Sequence, residues 1–291
     1  MAVSNEATTG YADVHGARLY YETMGTGHPL VLVHAGIADS RMWDDQFADF
    51  AEQYRVIRYD IRGFGKSVMP PGPSSTSRDL HGLLTALGIT RAHVVGLSIG
   101  GGIAIDFTLQ HPEMVSALVL VASGLGGTQP SAEMQRAYAE VDATLGGDGI
   151  DAAVEAENRI WVDGPKRTQT QVNPSVRKRV TEMNGALYRL PDVDAPRERL
   201  DPPAVGRLNE IYVPTLVIIG DGDVPDVIET ADVLEKGIAG ARKVVFPVSR
   251  MWSIWSARRS STESCSISSA STDSLHRRKE SDNDRANGWA A

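Results

Sequence analysis

Apolar and polar positions along this 291-residue chain alternate between two periods. Short unbroken runs of Val, Ile and Leu occur at Pro29–His34, Tyr54–Asp60, Ala92–Leu97, Val115–Ala122, Thr215–Ile219 and Arg242–Phe246. Runs of this length, apolar on both sides, suit parallel strands covered on both faces. Arg18–Thr23 alternates residue by residue and is predicted to be an early edge strand. Between these runs the spacing becomes helical. Leu80, Leu83, Leu84 and Leu87 fall on one face of Asp79–Leu87, which ends at Gly88, and Gly101–Gln110 continues as a helix until His111-Pro112 stops it. Strand alternating with helix predicts an α/β fold with a mainly parallel sheet flanked by helices.

Two stretches break the alternation. From Gly124 to about Leu208 there is no strand pattern, and Ser131–Leu145, Ile150–Val162 and Pro174–Leu190 read as three amphipathic helices. That block is too long for an ordinary crossover, so it is expected to form a cap over the carboxyl edge of the sheet, where open α/β folds bind ligands. After Pro247 the chain becomes rich in Ser, Arg, Thr and Asp, strands Trp252 and Trp255 among them, and keeps no period. It reads as a disordered tail. The expected organisation is a core in two parts, 1–124 and 209–247, a helical cap at 125–208 and an atypical tail at 248–291.

Composition narrows the function classes. A net charge of −8 and a pI near 5.4 argue against a nucleic-acid partner, which requires a basic face. The only cysteine, Cys265, lies in the tail, so no disulfide framework is available and a reducing cytoplasm is the expected location. Residues 1–10 lack the basic and apolar regions of a secretion signal, and no apolar run has the length of a membrane span. No His, Cys or carboxylate cluster has ligand spacing, so neither a metal nor an organic cofactor is expected.

The chemistry concentrates at Gly96-Leu97-Ser98-Ile99-Gly100, which fits Gly-x-Ser-x-Gly between an apolar strand and a glycine-rich helix start. In that context a tight turn lifts the serine hydroxyl to the top of the sheet as a nucleophile. The Ile99 N–H, at the first turn of the helix, is placed to bind a developing oxyanion. The second donor is expected from Val33-His34-Ala35-Gly36-Ile37, with Gly36 chosen and Ile37 the neighbour with which it could be confused. His34 is read as packing beneath that loop, since it stands on the wrong strand for a base. Of three acids that follow Thr215–Ile219, Asp223 is taken as the triad acid, whereas Asp221 and Asp226 are read as a solvated acidic turn.

These motifs, in this order, resemble the lid-bearing serine esterases and lactonases of the α/β-hydrolase superfamily, over about residues 20–247. Leu32-Val33-His34-Ala35-Gly36, Met42-Trp43-Asp44-Asp45-Gln46, Tyr59–Ser67 and Gly220-Asp221-Gly222-Asp223 take part in the match. The Asp60–Ser67 stretch is similar to a structural loop of that family, with glycines for turn geometry and Arg62 as its anchor. The resemblance implies hydrolysis of a small carboxylic ester or lactone through an acyl-enzyme, in the manner of 3-oxoadipate enol-lactonases. C–C hydrolase and cofactor-free perhydrolase or haloperoxidase chemistry stay open within enzymes, and a catalytically silent binding protein outside them. Substrate selection is assigned to the cap, where Trp161, Met183 and Tyr188 either line its underside or fill its own core.

The pattern breaks at the base. The family's histidine follows the last strand closely, but here Pro247-Val-Ser-Arg-Met-Trp follows Lys243–Phe246, and the only histidine after Asp223 is His276. His276 stands about thirty residues too late and in a charged run. His81, His93 and His111 read as surface or packing residues. Met251 and Trp252 have one codon each, so their codons are ATG and TGG. Read two bases later, the end of the Arg250 codon and the first two bases of ATG spell His when that end base is C, followed by Val. Permitted codons extend this to Val-Ala-His-Val-Val-Asn-Met-Glu-Arg-Pro-Ala-Glu-Phe-Asn, which resembles the family's histidine loop and the start of its final helix. The tail is therefore hypothesised to be an out-of-frame translation. A clean single frame across codons 245–252, with no base lost relative to related genes, would end that idea. Loss of the final helix is expected to leave one sheet face uncovered. The Ser-rich stretch 74–78 (Ser-Ser-Thr-Ser-Arg) has no role in this scheme.

Overall fold

A computed structural model of the chain describes residues 6–191 and 195–247. The tail 248–291, with His276 and the segment hypothesised to be out of frame, lies outside the described residues, and so does the expectation of a lost final helix.

Eight strands form one sheet: β1 (Thr8–Val14), β2 (Ala17–Met24), β3 (His28–Val33), β4 (Tyr54–Tyr59), β5 (Ala92–Leu97), β6 (Val115–Val121), β7 (Thr215–Gly220) and β8 (Arg242–Phe246). Their spatial order is β1-β2-β4-β3-β5-β6-β7-β8. β1 pairs antiparallel with β2, and β2 with β4, and every later pairing is parallel. The seven runs visible in the hydrophobic pattern are all strands. The eighth, β1, carries Thr8, Thr9, Gly10 and Tyr11, too polar to stand out, and it is held by its register on β2. Arg18–Thr23 is consequently not the edge strand that its alternation suggests, because β1 lies outside it.

Helices α1 (Asp44–Ala51), α2 (Thr76–Ala86), α3 (Ile99–Gln110) and α7 (Pro225–Gly237) complete the α/β layers. α2, α3 and α7 bury Leu80, Leu83, Phe107 and Leu234 against Val31, Val94, Leu118 and Val217 of the sheet. α3 has apolar residues nearly all round, with Ile103, Ala104, Ile105 and Phe107 all buried, as expected of a helix enclosed on every side. Between β6 and β7 lie α4 (Ala132–Gly147), α5 (Ile150–Asn158) and α6 (Pro174–Leu187). α5 ends earlier than its amphipathic pattern implies, because Arg159–Asp163 widens into a π-helical turn and Gly164 follows at φ 72°. No helix among the described residues is long and apolar enough to cross a membrane.

Candidate active site

The turn between β5 and α3 is built by glycines. A side chain at Gly96 would overlap the Gly100 carbonyl, and one at Gly100 would overlap the Val33 carbonyl, so strand and helix approach as closely as backbones can. Ser98 stands at the apex with φ 56° and ψ −119°, a conformation that costs an L-residue on the order of 1–3 kcal/mol. Its backbone is fully engaged. The N–H donates to Val121 O at 3.0 Å, and the carbonyl accepts from Gly101 N at 2.9 Å and Gly124 N at 2.8 Å. These bonds to the end of β6 and the loop after it hold the strained residue in place and leave its side chain half-exposed.

Beside it lies the loop that leaves β3. A Cβ on Gly36 would stand 3.4 Å from two side-chain carbons of Ile99, so the two backbone segments lie side by side. The loop is shaped from within. Ala35 N–H meets Met42 Sδ at 3.2 Å, and Ala38 N–H donates to Ala35 O at 3.3 Å. His34 is fully buried, and its Nε2 accepts the Ile61 N–H at 2.9 Å. Nδ1 therefore carries the ring proton and donates to Ala35 O at 2.8 Å. Burial lowers its basicity, so a neutral ring stitches the β3 and β4 loops together, as its position on the wrong strand for a base implies.

Asp223 follows β7, with one strand between it and the serine. Two inter-strand spacings put it roughly 10 Å away laterally. Its Oδ2 folds back to accept the Gly220 N–H at 2.8 Å, which fixes the carboxylate at the carboxyl end of its own strand. Burial pushes this carboxyl up to about 6, against the opposing pull of the Gly220 N–H and of Arg167. Asp221 is exposed, as a solvated turn requires, although Lys166 caps its backbone carbonyl at 2.6 Å. Asp226 departs from the solvated reading. Its Oδ2 accepts the Ser131 N–H at 2.7 Å and so ties the start of α7 to the start of α4. Neither this bond nor the approach of Lys166 and Arg167 to the acid loop has a local signal in sequence, since each joins residues roughly 50 to 100 positions apart.

The loop after β4 is structural in the way its glycines imply. Asp60 accepts Ser40 N–H and Lys66 N–H at 2.8 Å each, and the Ser67 hydroxyl donates to Asp60 O at 2.7 Å. Arg62 reaches away from the site to a buried ion pair with Asp79, at 2.5 and 2.6 Å. A cavity of about 260 Å³ opens between this loop, Ala38–Arg41 and α6, with Phe64, Met183 and Leu187 in its walls. Met183 is buried and lines this cavity. Trp161 packs on Tyr138 with ring centroids 6.2 Å apart, and burial beside Glu157 pushes the Tyr188 hydroxyl up to about 12. Four other histidines pack in pairs, His28 with His93 and His81 with His111. His81 stacks on His111 at 4.1 Å, and His93, driven down to about 4 by burial and the nearby His28, hydrogen-bonds with Ser116.

A serine held at positive φ between a central parallel strand and a helix, flanked by a glycine loop and followed two strands later by a partly buried acid, matches one family. Residues 28–257 fit the model of the alpha/beta hydrolase fold. The chain belongs to that family. It is 30% identical, over 250 residues, to a 2-hydroxy-6-oxononadienedioate/2-hydroxy-6-oxononatrienedioate hydrolase of Paraburkholderia phymatum, covering 82% of this chain and 86% of that one. Among solved structures, the enol-lactonase of Burkholderia xenovorans superposes with a TM-score of 0.64 at 27% identity, covering 84% of this chain and 94% of the other. Est816, described as an N-acyl homoserine lactone degrading enzyme, gives a TM-score of 0.65 at 25% identity over 84% of this chain and 95% of its own. Against five other curated relatives the chain spans only 35–57% of their length.

Proposed function

We propose that this chain derives from, and retains the binding frame of, a serine hydrolase of small carboxylic esters or lactones. The observation that carries the reading is Ser98 at φ 56° on the β5–α3 turn, with the Gly36 loop packed against Ile99. In this reading the Ser98 hydroxyl attacks the acyl carbon, and the Ile99 and Gly36 N–H groups receive the developing oxyanion. Ile99 is the first residue of α3, so its N–H has no intrahelical acceptor and lies at the positive end of the helix dipole. Asp223 is the acid that would orient the base. The helices at 125–208 act as a cap, with α6 facing the Asp60–Lys66 loop across a cavity of about 260 Å³. The net charge of −8 favours a small-molecule substrate over a nucleic acid. C–C bond hydrolysis is the second reading, supported by the similarity to the Paraburkholderia phymatum hydrolase over most of both chains.

The base decides activity. A serine hydroxyl is a weak nucleophile without one, and removing the histidine of a serine protease triad costs on the order of 10⁶ in turnover. No histidine stands between Asp223 and residue 247. We therefore expect the chain as given to hydrolyse p-nitrophenyl esters very slowly, and a chain with the two-base frame restored after Pro247 to do so readily. Labelling by a fluorophosphonate probe should follow the same order and disappear in Ser98→Ala. Equal inactivity of both chains across an ester, lactone and C–C substrate panel would remove the hydrolase reading and leave a silent binding protein.

A further inference from the structure

The Ser-rich stretch 74–78 lies apart from the catalytic scheme, and the structure surrounds it with the elements of a second site. A cavity of about 300 Å³ is lined by His15, Arg62, Ser74, Ser75, Arg78 and Asp79 at the amino end of α2. α2 runs for 11 residues and begins with Thr76, Ser77 and Arg78, whose N–H groups have no acceptor inside the helix. Ser75 caps it weakly, taking Arg78 N–H at 3.5 Å while its hydroxyl also meets Ser77 Oγ at 3.2 Å. Independently of the helix end, Ser74 is only 4% exposed and its Oγ has no hydrogen-bond partner. Its own N–H and carbonyl are used, pairing with Pro196 O at 3.0 Å and Glu198 N at 2.8 Å. A buried hydroxyl left unpaired beside a cavity is costly, and native structures keep such a group where a ligand or water completes it.

The lining carries one positive charge in excess. Two guanidinium groups and one carboxylate line the cavity, and that carboxylate is already held by Arg62 through Nε and Nη2. Arg78 is exposed and makes only a loose pair with Glu198 at 3.5 Å, so it can turn to a competing anion. The geometry points to a binding site for a phosphate-type oxyanion, free phosphate or a phosphate monoester, formed by Ser74, Arg78 and the first N–H groups of α2. In this proposal the helix dipole, a guanidinium turned from Glu198 and the Ser74 hydroxyl act together on one tetrahedral anion. Ser74 is bonded through its backbone to residues 196 and 198, so occupancy also bears on the chain that returns from the helical segment to the sheet.

Isothermal titration of the full chain with inorganic phosphate, and in a second arm with phosphoethanolamine, tests this against sodium chloride at matched ionic strength. Saturable binding of phosphate but not chloride is expected. Tighter binding of the monoester would identify the ester as the natural ligand, and tighter binding of inorganic phosphate the free anion. Ser74→Ala and Arg78→Gln should each weaken binding about tenfold or more, the size of one hydrogen bond to a charged group. Ser74→Ala should keep the unliganded thermal midpoint, because it deletes an unpaired hydroxyl. Arg78→Gln alters an exposed side chain and keeps the test intact should Ser74→Ala fold poorly. Absence of saturable binding, or equal affinity in wild type and Arg78→Gln, overturns the site.

Discussion

Replacing Asp223 by Asn should make the protein more stable, and the structure sets the size of the effect. The carboxyl is mostly buried and pushed up to about 6, from an ordinary aspartate value of about 3.9. The difference amounts to about 3 kcal/mol between the charged and neutral forms, with the charged form disfavoured by folding. The sign follows from proton binding. Between about pH 4 and 6 the folded state holds a proton that the unfolded state has released, so stability falls as pH rises through that window and stays low above it. Asn keeps an oxygen for the Gly220 N–H and carries no charge to desolvate. Urea unfolding of both chains should therefore show Asp223→Asn ahead by roughly 2–3 kcal/mol at pH 8 and by less than about 1 kcal/mol at pH 4. An Asn variant less stable than wild type at pH 8, or a gap independent of pH, would refute the reasoning. In the proposed role of Asp223 as the acid, such a cost is the usual trade of stability for function.

Ser98→Gly should relieve the positive-φ strain and raise stability by about 1 kcal/mol after the entropy cost of glycine, while abolishing fluorophosphonate labelling; thermal denaturation and gel fluorescence check the two halves. Asp79→Ala leaves the Arg62 guanidinium buried and unpaired and should destabilise by about 3–5 kcal/mol in denaturant unfolding. Gly100→Ala pushes a methyl into the carbonyls of Val33 and His34, so its unfolding midpoint should drop by at least as much as a typical overpacking change, about 1–3 kcal/mol. A Gly100→Ala protein with an unchanged midpoint would show that β5 and α3 can part without cost.

Much of this protein is local information. Continuous Val/Ile/Leu runs are legible because strands buried on both faces must be apolar throughout, and Ser98 is legible because a strained turn between strand and helix admits only small neighbours. Asp223 is proposed as the acid among three on its place just past a strand end, where a loop can turn back. β1 is not legible: its polar strand is stabilised by pairing with β2, which no local pattern records. Asp226 escapes a local reading for the same kind of reason, since its partner Ser131 lies 95 residues away. The order of motifs along the chain settles the fold, because hydrophobic period and turn chemistry act within a few residues. The tertiary structure alone decides the weakened acidity of Asp223, the neutral tautomer of His34, the contact of Gly36 with Ile99 and the unpaired hydroxyl of Ser74. Each of these depends on desolvation or on contacts between segments distant in sequence, and only folding brings them together.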